Sequence, residues 1–204
     1  TYNGFVPMWP ALQDPANKEN VGSLLVGDMA KAPQMYNKMG RGTYWIGKGL
    51  GANAQLLSVA EVEGKPKMSD QLLAQLKDRL EAWFDGQHST YFAQDSTLGT
   101  FVGVPGEYDS IKAMNDHHFH YGYWVMAAAH VALRDPAWAS QQNWGGMVGK
   151  IIADIANDER GRKDFPFLRN FDPYEAHSWA SGDANFDAGN NQESSSEAVN
   201  AWAG

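Results

Sequence analysis

The sequence predicts a mainly α-helical domain built from stacked helical hairpins, the arrangement of an α/α toroid. Apolar residues recur at helical spacing in several separate segments, most clearly over 69–84, where leucines occupy positions 72, 73, 76 and 80. Gly–Lys–Pro and Asp–Pro sequences end two of these segments, and motifs rich in polar and aromatic residues lie at the junctions. The loops of a toroid gather at one end of the ring, so these motifs are expected to meet there.

The individual elements follow from the same pattern in chain order. Helices are expected over about 21–39 with a break near Pro33, then over about 43–63, 69–84, 117–133 and 143–157, with a last helix from Asn191 or Ser194. Residues 1–42 form a loop-rich lead-in, because prolines cluster in its first half. Residues 91–104 favour extended chain, and residues 158–190 are expected to be a long irregular loop.

Composition limits the classes of function that the chain can have. A chain of 204 residues with 43% hydrophobic and 20% charged residues is typical of one globular domain. The formal charge of -8, without a lysine or arginine stripe, argues against a nucleic-acid partner. No apolar run approaches the roughly 20 residues that cross a bilayer, so no membrane partner is expected. The absence of cysteine excludes disulfides and thiolate metal ligands.

The segment 171–198 differs most from an ordinary core segment. It combines carboxylates, amides, hydroxyls and aromatic rings with almost no aliphatic side chains. The whole chain is rich in rings, with 8 Trp, 8 Tyr and 9 Phe. Flat rings beside hydrogen-bonding groups suit a ligand with hydroxyls and pyranose faces, so this segment indicates a carbohydrate site.

Two motifs imitate ligand-binding loops but lack an essential residue. Residues 42–48 match a phosphate-binding loop, yet Gly49 follows where a Ser or Thr would hold magnesium, and no strand precedes it. Residues 183–187 match the first three ligands of a calcium loop. The glycine and glutamate positions of that loop are occupied by Ala188 and Ser194, which argues against an EF-hand. A looser cation site stays open.

The motif DHHFHYGY at 116–123 permits two interpretations. His117 and His120 share a helix face and could hold a metal, but the chain has no His-Glu-x-x-His pattern. A catalytic metal is therefore the less favoured interpretation. Asp116 itself could be a helix N-cap, worth about 1 kcal/mol. Because a cap lies at the mouth of a helical ring, the capping role is compatible with a catalytic one.

Glu193 and Glu197 are one helical turn apart, which places their Cβ atoms about 5–6 Å from each other. Ser194 begins a possible capping box with Glu197, and Asn190 begins a similar one with Glu193, so either glutamate could be structural. Together with Asp116 they could instead supply the acid and base of glycosidic cleavage, which requires two carboxyl groups.

The motifs together resemble glycoside hydrolase family 81, the endo-β-1,3-glucanases or laminarinases. The resemblance covers residues 43–204 in matching order. It is carried by TYWIGK at 43–48, DHHFHYGY at 116–123, AAA at 127–129, DIAN at 154–157, RNFDPYEAHSWA at 169–180 and NQESSSEA at 191–198.

The resemblance implies an (α/α)6 catalytic barrel that is preceded in the family by a β-sandwich and a small connecting domain. Residues 1–204 would be its N-terminal portion, truncated at both ends, with barrel helices and active-site loops over 43–204. The expected activity is inverting, endo-acting hydrolysis of β-1,3-glucan such as laminarin, curdlan or cell-wall glucan. No cofactor or metal is implied, and the family is secreted or associated with cell walls.

By the same resemblance, Asp116 would be the general acid, Glu193 the general base and Glu197 a second essential carboxylate. The side chains expected to line the sugar subsites are His120, Tyr121, Asp172, Tyr174, His177 and Trp179. In an inverting enzyme the acid and base carboxyl groups are expected about 6.5–9.5 Å apart. Two alternatives remain: a non-catalytic β-glucan-binding fragment, and a barrel glycosidase acting on another linkage.

Overall fold

The computed structural model describes residues 18–35, 40–180 and 194–204, and it confirms the mainly α-helical fold class. The helices are α1 Lys18–Met35, α2 Thr43–Val62, α3 Pro66–Phe84, α4 His117–Ala132, α5 Gly145–Ala156 and α6 Ser195–Ala203. The strands are β1 Tyr91–Asp95, β2 Thr100–Val104, β3 Phe171–Asp172 and β4 His177–Ser178. Within the described ranges, no helix has the length and apolarity needed to span a membrane.

Three details of the predicted elements are wrong. Helix α3 begins at Pro66 instead of near Ser69, because proline suits the first helical turn, where its missing N–H costs nothing. Pro33 lies inside α1 and does not break it. The segment 158–190 is not wholly irregular, since β3 and β4 pair in it as a short antiparallel hairpin. Strands of two residues are too short to leave a periodic pattern in the sequence.

Helices α2 and α4 run side by side in the same direction. Near their N-termini, the Thr43 hydroxyl lies 2.9 Å from Nδ1 of His120. Near their C-termini, the Ser58 hydroxyl lies 3.3 Å from Nδ1 of His130. From the first contact to the second, the residue numbers increase along both helices. Helices α2 and α4 are therefore parallel.

Helix α6 extends this parallel arrangement on the other side of α4. Phe119 clusters with Ala198, one helical turn before the close approach of Gly122 to Ala201. The N-termini of α2, α4 and α6 therefore lie at one end of the domain.

Two return helices complete the hairpins. Helix α3 packs against α2 and is joined to it by only residues 63–65, so the two helices are antiparallel. Helix α5 packs against α4, and its Asp154, near the C-terminus, contacts His117 at the start of α4. The alternation of parallel inner helices with outer return helices is the predicted toroidal arrangement, here comprising two hairpins and the next inner helix.

The β1–β2 hairpin packs its aromatic residues against the helices. Phe92 of β1 lies edge-on to Trp124 of α4 at 5.1 Å between ring centroids and stacks on Phe101 of β2 at 5.5 Å. Trp83, near the end of α3, contacts Trp124 at 4.8 Å. These rings are almost fully buried, and each pair contributes about 0.5–1.5 kcal/mol beyond the burial of its area. The hairpin thereby fixes the end of the domain where α4 begins.

The close approach of α4 to α6 depends on a glycine. A Cβ atom added at Gly122 would lie 2.8 Å from the backbone nitrogen of Ala201. We expect Gly122→Ala to force the two helices apart and to lower the free energy of unfolding by about 1–3 kcal/mol, as overpacking does elsewhere. Urea denaturation followed by circular dichroism measures the change.

Gly149→Ala in α5 is the matched control for that substitution. A Cβ atom at Gly149 would meet no atom within 4 Å, so the helix should gain about 0.5–1 kcal/mol from reduced backbone entropy. Equal stabilities for the Gly122→Ala and Gly149→Ala proteins would contradict close packing between α4 and α6.

Candidate functional site

The carboxylate of Glu197 lies where the N-terminal halves of the three parallel helices meet. Its Oε1 accepts hydrogen bonds from the hydroxyls of Tyr44 on α2, at 2.9 Å, and Tyr123 on α4, at 2.7 Å. The same oxygen is 3.4 Å from Nζ of Lys48, and Oε2 accepts a 2.6 Å hydrogen bond from Ser194. One carboxylate thus links α2, α4 and α6.

The donors around Glu197 stabilise its charged form. Burial alone would raise the pKa of this carboxyl group, but the hydrogen bonds from Ser194, Tyr123 and Tyr44 and the charge of Lys48 outweigh burial and lower the pKa to about 2. Glu197 is therefore ionised at neutral pH.

The capping box predicted at Ser194 and Glu197 is wrong. Ser194 has a left-handed backbone (φ 49°) and makes no side-chain capping bond to the helix. Its hydroxyl donates to the Glu197 carboxylate, which is directed towards α2 and α4. Tertiary hydrogen bonds to two other helices have replaced the local reciprocal pair.

His120 lies beside the Glu197 cluster and is buried. Nδ1 of its ring is 2.9 Å from the Thr43 hydroxyl, and the ring packs near Tyr44 at 5.1 Å between centroids. Burial, together with the nearby histidines 117 and 118, lowers the pKa of His120 to about 3, although Glu197 opposes the shift. At neutral pH this imidazole is neutral and acts as a hydrogen-bonding group. In the part of the chain that the structure describes, no three His, Asp or Glu side chains are grouped to hold a metal.

Asp116 stands at the N-cap position of α4 and is only 9% exposed. Its backbone is left-handed (φ 60°), and its side chain makes no capping bond to the helix. The backbone nitrogen donates to the carbonyl of Ala180 at 2.9 Å, and Ala180 in turn clusters with Phe119 and Ala198. Asp116 and Glu197 therefore belong to the first turns of adjacent helices. Glu193 lies outside the described residues, so its distance from Asp116 stays a prediction.

The other expected subsite residues divide into two groups. Tyr121 is fully buried, and its hydroxyl accepts a hydrogen bond from the Gly103 backbone at 3.0 Å. Its expected place on the sugar-binding surface is wrong, because its side chain anchors the β1–β2 hairpin in the core. Asp172 accepts hydrogen bonds from the backbone nitrogens of Tyr174 and Glu175, at 2.7 and 3.2 Å. The resulting turn leaves Tyr174 90% exposed.

His177 and Trp179 follow that turn and lie close together. Their ring centroids are 5.7 Å apart in an edge-to-face arrangement, and both side chains are partly exposed. The indole nitrogen of Trp179 donates to the carbonyl of Arg169 at 3.3 Å. The structure therefore groups Asp172, Tyr174, His177 and Trp179 on the small β3–β4 hairpin and the residues next to it.

Sequence reasoning missed the site roles of Tyr44, Lys48 and Tyr123. Tyr44 and Lys48 are four residues apart on α2, the spacing that places two side chains on one helix face. All three residues also lie in the motifs at 43–48 and 116–123, but neither motif showed that their side chains meet Glu197. Because Tyr123 and Glu197 are distant in sequence, only the packing of three helices shows that they meet.

Tyr108 is a further aromatic residue that the sequence did not identify. It is 54% exposed, and its ring lies edge-on to Tyr44 at 5.2 Å and to His120 at 5.9 Å. Its left-handed backbone (φ 51°) is uncommon for a bulky residue. Such strained conformations concentrate at functional sites, where the surrounding structure holds them.

Comparison with known proteins places the chain in a family of glycosyl hydrolases. The family model described as the glycosyl hydrolase family 81 C-terminal domain matches residues 11–204. A glucan endo-1,3-β-D-glucosidase of Acetivibrio thermocellus is 55% identical over 163 residues, which make up 78% of this chain and 21% of that protein. An enzyme of the same name from Thermobifida fusca is 40% identical over 202 residues, which make up 98% of this chain and 26% of that protein.

A solved structure agrees with this placement. A glycoside hydrolase family 81 protein of Clostridium thermocellum, determined as a point mutant, superposes with a TM-score of 0.90 at 46% identity. The match covers 98% of this chain and 28% of that one. The chain thus spans about a quarter of the length of the relatives it matches.

The hydrogen bonds to Glu197 can be tested by titration. Tyr123→Phe removes the shortest Oε1 hydrogen bond, so we expect the pKa of Glu197 to rise from about 2 towards the ordinary value of 4.5. The stability that depends on the ionised carboxylate is present above pH 4.5 and is lost as the pH falls towards 2. In the variant this loss should be smaller and should be complete at a higher pH. Carboxyl carbon NMR shifts measure the pKa. Tyr91→Phe, an exposed position on β1, is the control, and equal titration curves for both variants would contradict the assignment.

Proposed function

The chain belongs to glycosyl hydrolase family 81, and from this membership and the site geometry we propose that it carries out endo-acting hydrolysis of β-1,3-glucan. The observation that supports the proposal most directly is the pairing of a nearly buried Asp116 with an ionised Glu197 on adjacent helix N-termini. Aromatic side chains and hydrogen-bonding groups surround them, as a polysaccharide ligand requires. Laminarin, curdlan and cell-wall glucan are the proposed substrates.

We assign the chemistry to three carboxyl groups. Asp116 donates a proton to the leaving glycosidic oxygen, and Glu193 activates the attacking water, so that the reaction inverts the anomeric centre. Glu197, strongly ionised and held by four donors, orients the hydroxyls of Tyr44 and Tyr123 and supplies negative charge near the sugar.

The sugar chain would contact the exposed rings around these carboxyl groups. Tyr108 and Tyr174 present faces large enough to pack against pyranose C–H groups. The remaining proposed contacts are Asp172, His177 and Trp179. His120 is only 1% exposed, so it supports Thr43 and Tyr44 instead of contacting the sugar, and its expected place on the sugar-binding surface is wrong. We propose that the enzyme acts outside the cell or at a cell wall. Further segments of a longer protein, including a β-sandwich and the rest of an (α/α)6 barrel, would complete the subsites.

A second candidate is a β-glucan-binding fragment without catalytic activity. The exposed rings of Tyr108 and Tyr174 favour it equally, since aromatic faces hold a sugar chain whether or not a bond is cleaved.

Digestion of laminarin separates the two candidates. We expect the protein to release shorter oligosaccharides of mixed length, and proton NMR of the first products should show the α-anomer, because inversion converts a β-linkage into an α-hemiacetal. Retention on insoluble curdlan without release would identify the binding fragment. An initial β-anomer would contradict the inverting mechanism.

Substitution of the carboxyl groups tests their separate roles. Asp116→Asn should lower kcat on laminarin by about 10²–10⁴-fold, the contribution of general acid catalysis, but should spare substrates whose leaving groups need little protonation. Glu193→Ala should be inactive on both substrate types, with azide restoring part of the activity by acting as the nucleophile. Asp70→Asn is the control, because Asp70 is exposed near the start of α3, at the opposite end of the domain. Normal turnover by Glu193→Ala alongside an inactive Glu197→Gln would reverse the assignment of the base.

A further inference from the structure

Behind the site, the carboxylate of Asp154 on α5 is fully buried in a polar cluster with His117 and the partly buried Arg169. Its Oδ1 accepts hydrogen bonds from the Thr100 hydroxyl at 2.9 Å and the Phe101 backbone nitrogen at 2.8 Å. Its Oδ2 accepts from Nδ1 of His117 at 2.6 Å and Nη2 of Arg169 at 2.7 Å. The cluster therefore joins β2, the first turn of α4, α5 and the segment that precedes β3.

This cluster shields the ion pair of Asp154 and Arg169 from most contact with water, since their side chains are 0% and 12% exposed. Burial would raise the pKa of Asp154, but the charges of His117 and Arg169 and the hydrogen bonds hold the pKa below its ordinary value. Buried ion pairs are often no more stabilising than apolar residues of similar volume, because both charges lose their hydration. A gain in the free energy of unfolding is thus a weak explanation for the presence of this ion pair. The backbone groups that the pair holds in place provide a better explanation.

The cluster holds the backbone that leads to Asp116. Nε2 of His117 lies 2.6 Å from the carbonyl oxygen of Ser110, and Nη1 of Arg169 donates to the carbonyl of Met114 at 3.3 Å. Both carbonyls belong to the segment 108–116. Four non-glycine residues of this segment have left-handed backbones: Tyr108, Asp109, Met114 and Asp116. Each such residue costs on the order of 1–3 kcal/mol and persists only where neighbouring groups hold it.

Arg169 also supports Asp116 from the opposite side. Its carbonyl accepts the indole N–H of Trp179 at 3.3 Å, and the next residue, Asn170, accepts the Trp179 backbone N–H at 3.3 Å. One residue later, the carbonyl of Ala180 accepts the backbone N–H of Asp116 at 2.9 Å. The side chain of Arg169 and the hairpin that follows it therefore hold the chain on both sides of Asp116.

We propose that Arg169, anchored on Asp154, is a positioning residue that sets the placement of the Asp116 carboxyl group relative to the glycosidic oxygen. Arg169 is bound to Asp154 and to the Met114 carbonyl, two residues before Asp116, so its loss releases the strained segment at that point. This inference rests on the proposed role of Asp116 as general acid. It predicts an effect on proton donation that exceeds any effect on substrate binding.

Arg169→Lys and Arg169→Ala test the proposal. Lysine keeps a positive charge beside Asp154 but has a single nitrogen, which cannot bind both Asp154 and Met114 in the manner of a guanidinium fork. We expect both variants to lose about 10²-fold or more in kcat on unactivated β-1,3-gluco-oligosaccharides, the lower end of the contribution of general acid catalysis. The loss should stay below about tenfold on matched dinitrophenyl glycosides, whose leaving group needs no proton. KM should change less than kcat, and added guanidinium ion should restore part of the activity of Arg169→Ala.

Arg162→Ala is the matched control, because Arg162 forms an exposed ion pair with Asp164 in the same region of the chain. A purely structural role for Arg169 would lower activity on both substrate classes by the same factor, and this result would overturn the proposal. Asp154→Asn gives a further variant with the same expected dependence on leaving group if Arg169→Ala does not fold.

Asp116→Asn, measured in parallel, separates failure of this inference from failure of the proposed function. If Asp116→Asn is selectively impaired on the unactivated substrate while the Arg169 variants are not, only the positioning role is wrong. If Asp116→Asn shows no dependence on leaving group, Asp116 is not the acid, and the proposed function fails with the inference.

Discussion

Gly47 and Gly122 allow α2, α4 and α6 to pack close together, and the arrangement of the site depends on this close packing. An added Cβ at Gly47 would lie 3.0 Å from the His120 carbonyl, and one at Gly122 would lie 2.8 Å from the backbone of Ala201. The hydroxyls of Tyr44 and Tyr123 reach the Glu197 carboxylate because the three helices are this close. The three-helix linkage through the Glu197 carboxylate is therefore a consequence of backbone packing, and a wider spacing would break it.

The parallel direction of these helices also shapes the electrostatics of the site. Helix N-termini carry partial positive charge, and three of them lie at the end where Glu197 is bound. The free backbone N–H groups at the start of α2 have a different partner. The carboxylate of Glu107 accepts hydrogen bonds from the N–H groups of Tyr44 and Trp45 at 3.0 and 3.1 Å. A strongly ionised glutamate beside a neutral His120 gives the site two polar groups in fixed protonation states.

The segment 108–116 before α4 has an unfavourable backbone conformation that the surrounding structure stabilises. The segment contains strained left-handed residues. His117 and Arg169 hold it in place, and both side chains are themselves fixed by hydrogen bonds to Asp154. The buried charges and the strained turns each cost free energy, and the rest of the core must offset it. The aromatic packing around Trp124 and the leucines of α3 supplies stabilisation of that kind.

The sequence by itself determined the helical class, most helix boundaries and the family, because each rests on local pattern: the leucine spacing of α3, the turns at 64–66 and 135–136, and contiguous motifs such as 169–180. It also identified Asp116 and Glu197 as candidate residues, since a carboxylate within a polar and aromatic stretch can be recognised from the sequence alone. Only the tertiary structure decided that Tyr121 is buried, that Glu197 binds Tyr44 and Tyr123 instead of capping its own helix, and that Arg169 supports the turn before Asp116. The direction in which a side chain points depends on neighbours far away in the chain, and a local pattern contains no information about them.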